Sequence, residues 1–268
     1  MSKHLRRPSG EYEVCVHVMS RVVQKRFLID DQGMEEMRRI LRTQAAFAGF
    51  DVVTFCFLKN HFHVLLHLDP SKACKRVSDA EFVRRFRLLY GSKRSASLGV
   101  DGETLEALLK SDDERAASVR EKLRARMGDV SVFMRELKTR FTFWYNRHHQ
   151  TVGTFWADRF RSVLFEAGSA DLRVVAAYID LNGVRAGLTE NPRKYRFCGL
   201  GEAEREGRRA REAYVWLVKK ANRRRPLSRS IEEIFAEYAA FVDRHLARIR
   251  SDLVERVHAE RSSPSRSS

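Results

Sequence analysis

The first third of the chain alternates between segments with strand-like and helix-like spacing of apolar residues. Residues 12–20 alternate apolar and polar positions, which is typical of a strand. Residues 30–47 carry apolar side chains at three- and four-residue spacing, which predicts an amphipathic helix that ends at Gly49. Residues 52–58 and 61–68 are rich in strand-forming residues, and the short joint between them predicts an antiparallel hairpin.

The remainder of the chain adds further helices and one more strand. The spacing predicts helices over residues 78–90, 131–148 and 171–184 and a strand over 159–166. Residues 91–127 are highly charged with few large apolar groups, so we interpret them as a partly helical excursion on the surface. This order of elements predicts an α+β fold, in which helices pack on an antiparallel sheet.

The charge balance of the chain suggests a class of binding partner. Among 268 residues, 51 Lys and Arg stand against 35 Asp and Glu, which gives a formal net charge of +16. A protein this basic is attracted to polyanions, and nucleic acid is the most abundant one in cells. The alternative is a solvated basic surface without a specific ligand.

Two absences in the sequence bear on location. No apolar run is long enough to span a membrane, and the basic N-terminus leads into no apolar signal segment. The four cysteines are scattered without a paired spacing, which argues against a disulfide framework or a cysteine zinc site. We therefore expect a reduced, cytoplasmic and nucleoid-associated protein.

A histidine-rich strand is the most informative segment for chemistry. Because side chains alternate along a strand, His61, His63 and His67 share one face while apolar residues fill the other. Two imidazoles at this spacing lie about 6–7 Å apart, close enough to bind one divalent ion. His17, in the predicted first strand, could approach this pair or lie at the edge of the core. The alternative to a metal site is a polar strand face that happens to carry histidine.

A second chemical segment lies on the predicted helix at residues 131–148. Tyr145 and His149 are four residues apart, so they share one face of that helix. A tyrosine hydroxyl can form a covalent phosphoester when a cation stabilises the phosphate oxygens. The alternative is an aromatic helix packed on the sheet, with Tyr145 at its rim.

Five sequence blocks in a characteristic order identify a family resemblance. They are residues 17–21, 58–63, 146–149, 153–160 and 178–188. Together they resemble the REP-associated tyrosine transposases, which belong to the single-tyrosine branch of the His-hydrophobic-His nucleases and to the IS200-like transposases. The resemblance implies a ferredoxin-like catalytic sheet, a histidine pair that binds Mg²⁺ or Mn²⁺, and a tyrosine that attacks single-stranded DNA. The product would be a 5′-phosphotyrosine adduct at short hairpin-forming repeats.

The resemblance also assigns roles to individual residues. His61 and His63 correspond to the metal pair, and His149 is a candidate third ligand, as is Asn146. Phe141 stands where many relatives carry their tyrosine, so Tyr145, one turn further along the same face, becomes the expected nucleophile. The arginines expected to contact DNA are Arg147, Arg159, Arg161 and Arg185.

The resemblance divides the chain into a catalytic part and an extension. We expect a transposase-like domain over residues 1–200, with 91–127 as a charged insertion, followed by a basic helical extension over 201–268. Relatives often act as dimers, so a homodimer is a further expectation. Two alternatives stay open: a domesticated, catalytically inactive protein that binds DNA hairpins, and a protein that binds structured RNA.

Overall fold

The computed structural model describes residues 13–70, 77–95, 98–206, 208–221 and 229–262. The strands are β1 Val14–Arg21, β2 Phe50–Phe57, β3 His61–Leu68 and β4 Arg161–Glu166. The helices are α1 Asp31–Ala48, α2 Asp79–Tyr90, α3 Gly102–Lys110, α4 Arg115–Ala125, α5 Val130–His148, α6 Asp171–Asp180, α7 Asn182–Arg185, α8 Gly199–Glu206, α9 Arg208–Ala221 and α10 Ile231–Ser262. Cys74, the beginning of the first predicted domain at residue 1 and the end of the second at residue 268 lie outside these ranges.

The four strands form one antiparallel sheet in the order β2-β3-β1-β4. This is the strand order of a ferredoxin-like fold, so the predicted α+β class is confirmed. Helix α1 begins where the Asp30 side chain accepts a hydrogen bond from the amide of Gly33 at 2.7 Å. It ends at Gly49, whose φ of 78° lies in the left-handed region that glycine tolerates best.

The two faces of the sheet are covered by different helices. Phe62 on β3 points toward α5. Its ring lies 5.4 Å from that of Trp156, and the Trp156 indole N–H donates to the Lys138 carbonyl of α5. His63, the next residue, points to the opposite face. That face is covered by α6, because the Thr54 hydroxyl of β2 donates to Asp180 at the end of α6.

Residues 91–127 are partly helical, as predicted, and they also contribute to a small hydrophobic cluster that they share with α2. Leu105 and Leu109 on α3, together with Val119 and Leu123 on α4, are buried against α2. Each pair is four residues apart and therefore forms one apolar stripe on its helix. These regularly spaced apolar residues form a second hydrophobic cluster with α2, separate from the core of the sheet, which was not predicted from the sequence.

The C-terminal helices pack onto the sheet and α6. Tyr214 on α9 and Tyr238 on α10 are fully buried, and both hydroxyls contact the Asp180 carboxylate. In the described part of the chain, no helix is long and apolar enough to cross a membrane. Cys15, Cys56 and Cys198 are buried free thiols, and burial raises the pKa of Cys15 to about 12.

Candidate active site

Three histidines lie together on the face of the sheet that α6 covers. The rings of His61 and His63 on β3 have centroids 5.2 Å apart. On β1, the His17 ring stacks on His63, and its Nε2 lies 2.9 Å from Nδ1 of His63. Nδ1 of His61 lies 2.6 Å from Oδ1 of Asn60. These contacts orient both imidazoles of the pair and occupy their Nδ1 atoms, so each Nε2 atom is left to bind a ligand.

The surroundings keep these histidines uncharged. Burial lowers the pKa of His17 to about 4. Burial, together with the charge of Arg21, lowers the pKa of His61 to about 4. Burial, followed by the charges of His17, His61, Arg21 and Arg185, lowers the pKa of His63 to about 3. All three imidazoles are therefore neutral at pH 7, which is the state in which histidine binds a metal.

The donor set fits a divalent cation through two protein ligands. Two neutral imidazoles leave positions for water or phosphate oxygens, which Mg²⁺ and Mn²⁺ prefer. No three His, Cys, Asp or Glu side chains within the described ranges are grouped to hold a metal ion. His149 therefore does not complete a site with His61 and His63. His67, although on the same strand face, lies at the far end of β3, where its ring centroid is 4.1 Å from that of Trp216 and the two rings are tilted by 37°.

The structure gives Tyr145 a setting different from the one expected. Its helix, α5, packs on the Phe62 face of the sheet, opposite the histidines. Its ring packs against His149 at 4.2 Å and Phe155 at 4.5 Å, and burial raises its pKa. Among the described side chains it has no ring contact with His61 or His63. The sequence could not reveal this, because periodicity does not say which sheet face a helix covers.

Within the part of the chain that the structure describes, the contacts of two other residues of α5, Asn146 and Phe141, do not include the histidine pair. The Asn146 side chain, in the last turn of α5, donates to the Gly153 carbonyl and accepts a hydrogen bond from the Thr151 hydroxyl. Phe141 is fully buried in the core, with its ring 5.1 Å from that of Phe155. The residue expected to be tyrosine in many relatives is thus a core residue here.

Another tyrosine, which the sequence did not single out, lies beside the histidine pair. The Tyr178 ring on α6 has its centroid 5.8 Å from His63 and 6.4 Å from His17. Its side chain is 41% exposed, so solvent and a substrate can reach it. The guanidinium of Arg185 lies 4.5 Å above the ring. The sequence feature that could have identified Tyr178 is its position as the first residue of the block 178–188, one of the five on which the family resemblance is based.

Three exposed arginines surround this group. Arg185 lies over Tyr178, and Arg21 pairs with His61 in the register of β1 and β3. Arg161 on β4 pairs with Met19, which in turn pairs with His63, so all three share one sheet face. None of the three arginines forms an ion pair with a described carboxylate. This face can therefore bind an anion such as phosphate.

The other two predicted DNA contacts lie elsewhere. Arg159 lines a groove of about 580 Å³ beside α5, together with Phe143, whose side chain is 72% exposed. Arg147 is exposed in the last turn of α5. Of the predicted site residues, the structure thus brings together His61, His63, Arg161 and Arg185. It separates Tyr145, His149, Arg147 and Arg159 from them.

One protein family matches the part of the chain that carries the histidine pair. Residues 11–84 match the family described as "Transposase IS200 like", which confirms the resemblance over the two sequence blocks that this segment contains, residues 17–21 and 58–63. The matched segment contains His61 and His63 but neither tyrosine discussed above.

One solved structure with a similar chain is described as "Structure of the REP associates tyrosine transposase bound to a REP hairpin". Its sequence is 16% identical, the similarity covers 75% of this chain and 84% of that chain, and the TM-score is 0.42. A search of curated proteins gave no match.

Proposed function

We propose that this chain is a metal-dependent transposase or endonuclease for single-stranded DNA. The match of residues 11–84 to the IS200-like transposases supports this proposal. It would cleave and rejoin DNA at hairpin-forming repeats through a covalent 5′-phosphotyrosine. The observation that supports this most is an exposed phenol, Tyr178, against a neutral histidine pair. This proposal assigns the nucleophile to Tyr178 in place of Tyr145.

The chemistry follows from the properties of these side chains. The Tyr178 oxygen attacks the phosphorus, the bond from phosphorus to the 3′-oxygen breaks, and the tyrosine stays joined to the 5′-phosphate. The phenol loses its proton, and the departing 3′-oxygen gains one. Reversal of these steps rejoins the strand. The Arg185 guanidinium, 4.5 Å from the centre of the Tyr178 ring, would place a positive charge beside the phosphate that Tyr178 attacks.

Charge stabilisation of the phosphate would come from two sources. Arg21 and Arg161 carry positive charge on the face that holds the histidines. Mg²⁺ or Mn²⁺ held by His61 and His63 would stabilise the non-bridging oxygens. The net charge of +16 adds a general attraction to the DNA backbone. A DNA hairpin is the substrate class that the family resemblance implies.

The non-catalytic alternative is based on Phe141, which stands where many relatives carry their tyrosine. The surroundings of Phe141 argue against this alternative. Phe141 is fully buried in the core. A tyrosine there would have its hydroxyl in apolar surroundings and away from the histidine pair. The loss of tyrosine at this position therefore does not argue for loss of activity.

The test is a covalent adduct assay with a tyrosine pair as matched variants. Purified protein is mixed with a DNA hairpin labelled on its 3′ side and with Mn²⁺, then run on a denaturing protein gel. We expect a labelled band at protein mass, which Tyr178→Phe and His63→Ala abolish and Tyr145→Phe retains. The hairpin Kd of Tyr178→Phe should stay within about twofold, because one hydroxyl is removed from a site that Arg185 still covers.

Two results would contradict the proposal. An adduct retained in Tyr178→Phe would remove that residue as nucleophile. Hairpin binding without any adduct in the unmodified protein would favour the non-catalytic DNA-binding protein. Preference for a matched RNA hairpin in competition would favour the RNA-binding alternative.

A further inference from the structure

A buried carboxylate lies two residues beyond Tyr178 on the same helix. Asp180 is fully buried, and its Oδ1 accepts a hydrogen bond from the Thr54 hydroxyl at 2.6 Å. Its Oδ2 accepts one from the Tyr238 hydroxyl, also at 2.6 Å. The Tyr214 hydroxyl lies 3.1 Å from Oδ1, and the Leu200 amide lies 3.3 Å from it. One carboxylate thus gathers three hydroxyls and an amide.

These donors come from elements that are distant in the chain. Thr54 is on β2, Leu200 on α8, Tyr214 on α9 and Tyr238 on α10. Burial of a charged group is unfavourable unless its hydrogen bonds are all made, so the carboxylate holds these elements in one arrangement. The cluster is also tightly packed, because a Cβ atom added at Gly199 would lie 2.6 Å from the Tyr214 hydroxyl oxygen.

The helical geometry connects this cluster to the candidate nucleophile. Successive residues of an α-helix are rotated by about 100°, so side chains two residues apart point to nearly opposite sides. The two side chains accordingly leave different sides of α6: the Tyr178 ring lies beside His63, while the Asp180 carboxylate meets the buried hydroxyls. Fixing Asp180 therefore fixes the rotation of α6 and, with it, the position of the Tyr178 ring.

We propose that Asp180 is a positioning residue, through which the C-terminal helices α9 and α10 hold Tyr178 against the histidine pair. This inference rests on the proposed role of Tyr178. It gives the C-terminal extension a part in catalysis without any contact with DNA. A displacement of about 1 Å at a reacting group can lower a rate about a hundredfold, so a small rotation of α6 is sufficient to matter.

Tyr238→Phe tests the proposal against a matched control, Tyr195→Phe. Each variant removes one buried phenol hydroxyl and keeps the ring. The Tyr195 hydroxyl donates to the Phe57 carbonyl at 2.8 Å and does not reach α6. We expect Tyr238→Phe to slow adduct formation at saturating hairpin DNA about tenfold or more, because a small displacement of Tyr178 raises the activation free energy. Tyr195→Phe should stay within about threefold, and both should keep the hairpin Kd within about twofold.

A second readout reports the position of Tyr178 without requiring catalysis. 3-Fluorotyrosine incorporated at position 178 gives a ¹⁹F resonance that senses the adjacent His63 and His17 rings. We expect Tyr238→Phe to shift or broaden this resonance and Tyr195→Phe to leave it unchanged. An unshifted resonance, together with equal adduct rates in the two variants, would overturn the positioning role. If the unmodified protein forms no adduct, the proposed function fails, and the ¹⁹F shift alone decides whether Asp180 positions Tyr178.

Discussion

Replacing the buried Asp180 by asparagine should remove a defined part of the pH dependence of folding stability. Burial raises the pKa of this carboxyl from its ordinary 3.8 to about 6. The hydrogen bonds from Thr54, Tyr238, Leu200 and Tyr214 act in the opposite direction but do not outweigh burial. Asparagine has nearly the same shape but does not titrate.

The sign and size of the effect follow from proton linkage. Between pH 3.8 and about 6, the folded protein binds more protons at Asp180 than the unfolded chain does. The stabilisation from this group is therefore fully present below pH 3.8 and is lost as the pH rises through about 6. A shift of about two pKa units corresponds to about 3 kcal/mol in the free energy of unfolding.

The assay is urea unfolding of the unmodified protein and Asp180→Asn across this pH range. The difference in unfolding free energy between the two proteins should change by about 3 kcal/mol in favour of the asparagine variant from about pH 4 to about pH 7. His17, His61 and His63 titrate in both proteins, so their contributions cancel in the difference. A difference that stays constant across the range would refute the reasoning, because it would mean that the Asp180 pKa is not raised by folding.

Three further substitutions test other parts of the account. Phe141→Tyr puts a hydroxyl into a fully buried site, so it should lower the free energy of unfolding in urea by about 1–3 kcal/mol. It should not raise the adduct yield, and a gain in adduct would contradict the assignment of Tyr178. Arg185→Ala should reduce the slope of log affinity against log salt for a DNA hairpin by about 1, whereas an unchanged slope would exclude a phosphate contact. Gly201→Ala would bring a methyl group into collision with the Tyr195 carbonyl and should cost about 3 kcal/mol, which a near-native melting temperature would disprove.

The sheet and the histidine pair could be predicted because they depend on local periodicity. Alternation along β3 is sufficient to put His61 and His63 on one side and Phe62 on the other. The ends of α1 were equally accessible, since a capping aspartate and a left-handed glycine are local signals. The order of elements then limited the topology to an antiparallel sheet with helices on it.

The choice of tyrosine could not be predicted in the same way. Tyr145 and Tyr178 both lie on amphipathic helices, and nothing local tells which helix covers the histidine face. The Asp180 cluster was also hidden, because Tyr214 and Tyr238 approach it from 34 and 58 residues further along the chain. Such contacts depend on the packed fold and not on the spacing of residues in any one segment.

The most direct test of the central assignment is to locate the DNA on the protein by mass spectrometry. Trypsin cuts after arginine, so Tyr178 and Tyr145 fall in separate peptides, residues 174–185 and 141–147. After adduct formation with Mn²⁺ and digestion of the DNA, we expect the nucleotide mass on the peptide 174–185. The same mass on the peptide 141–147 would contradict the account and return the nucleophile to Tyr145.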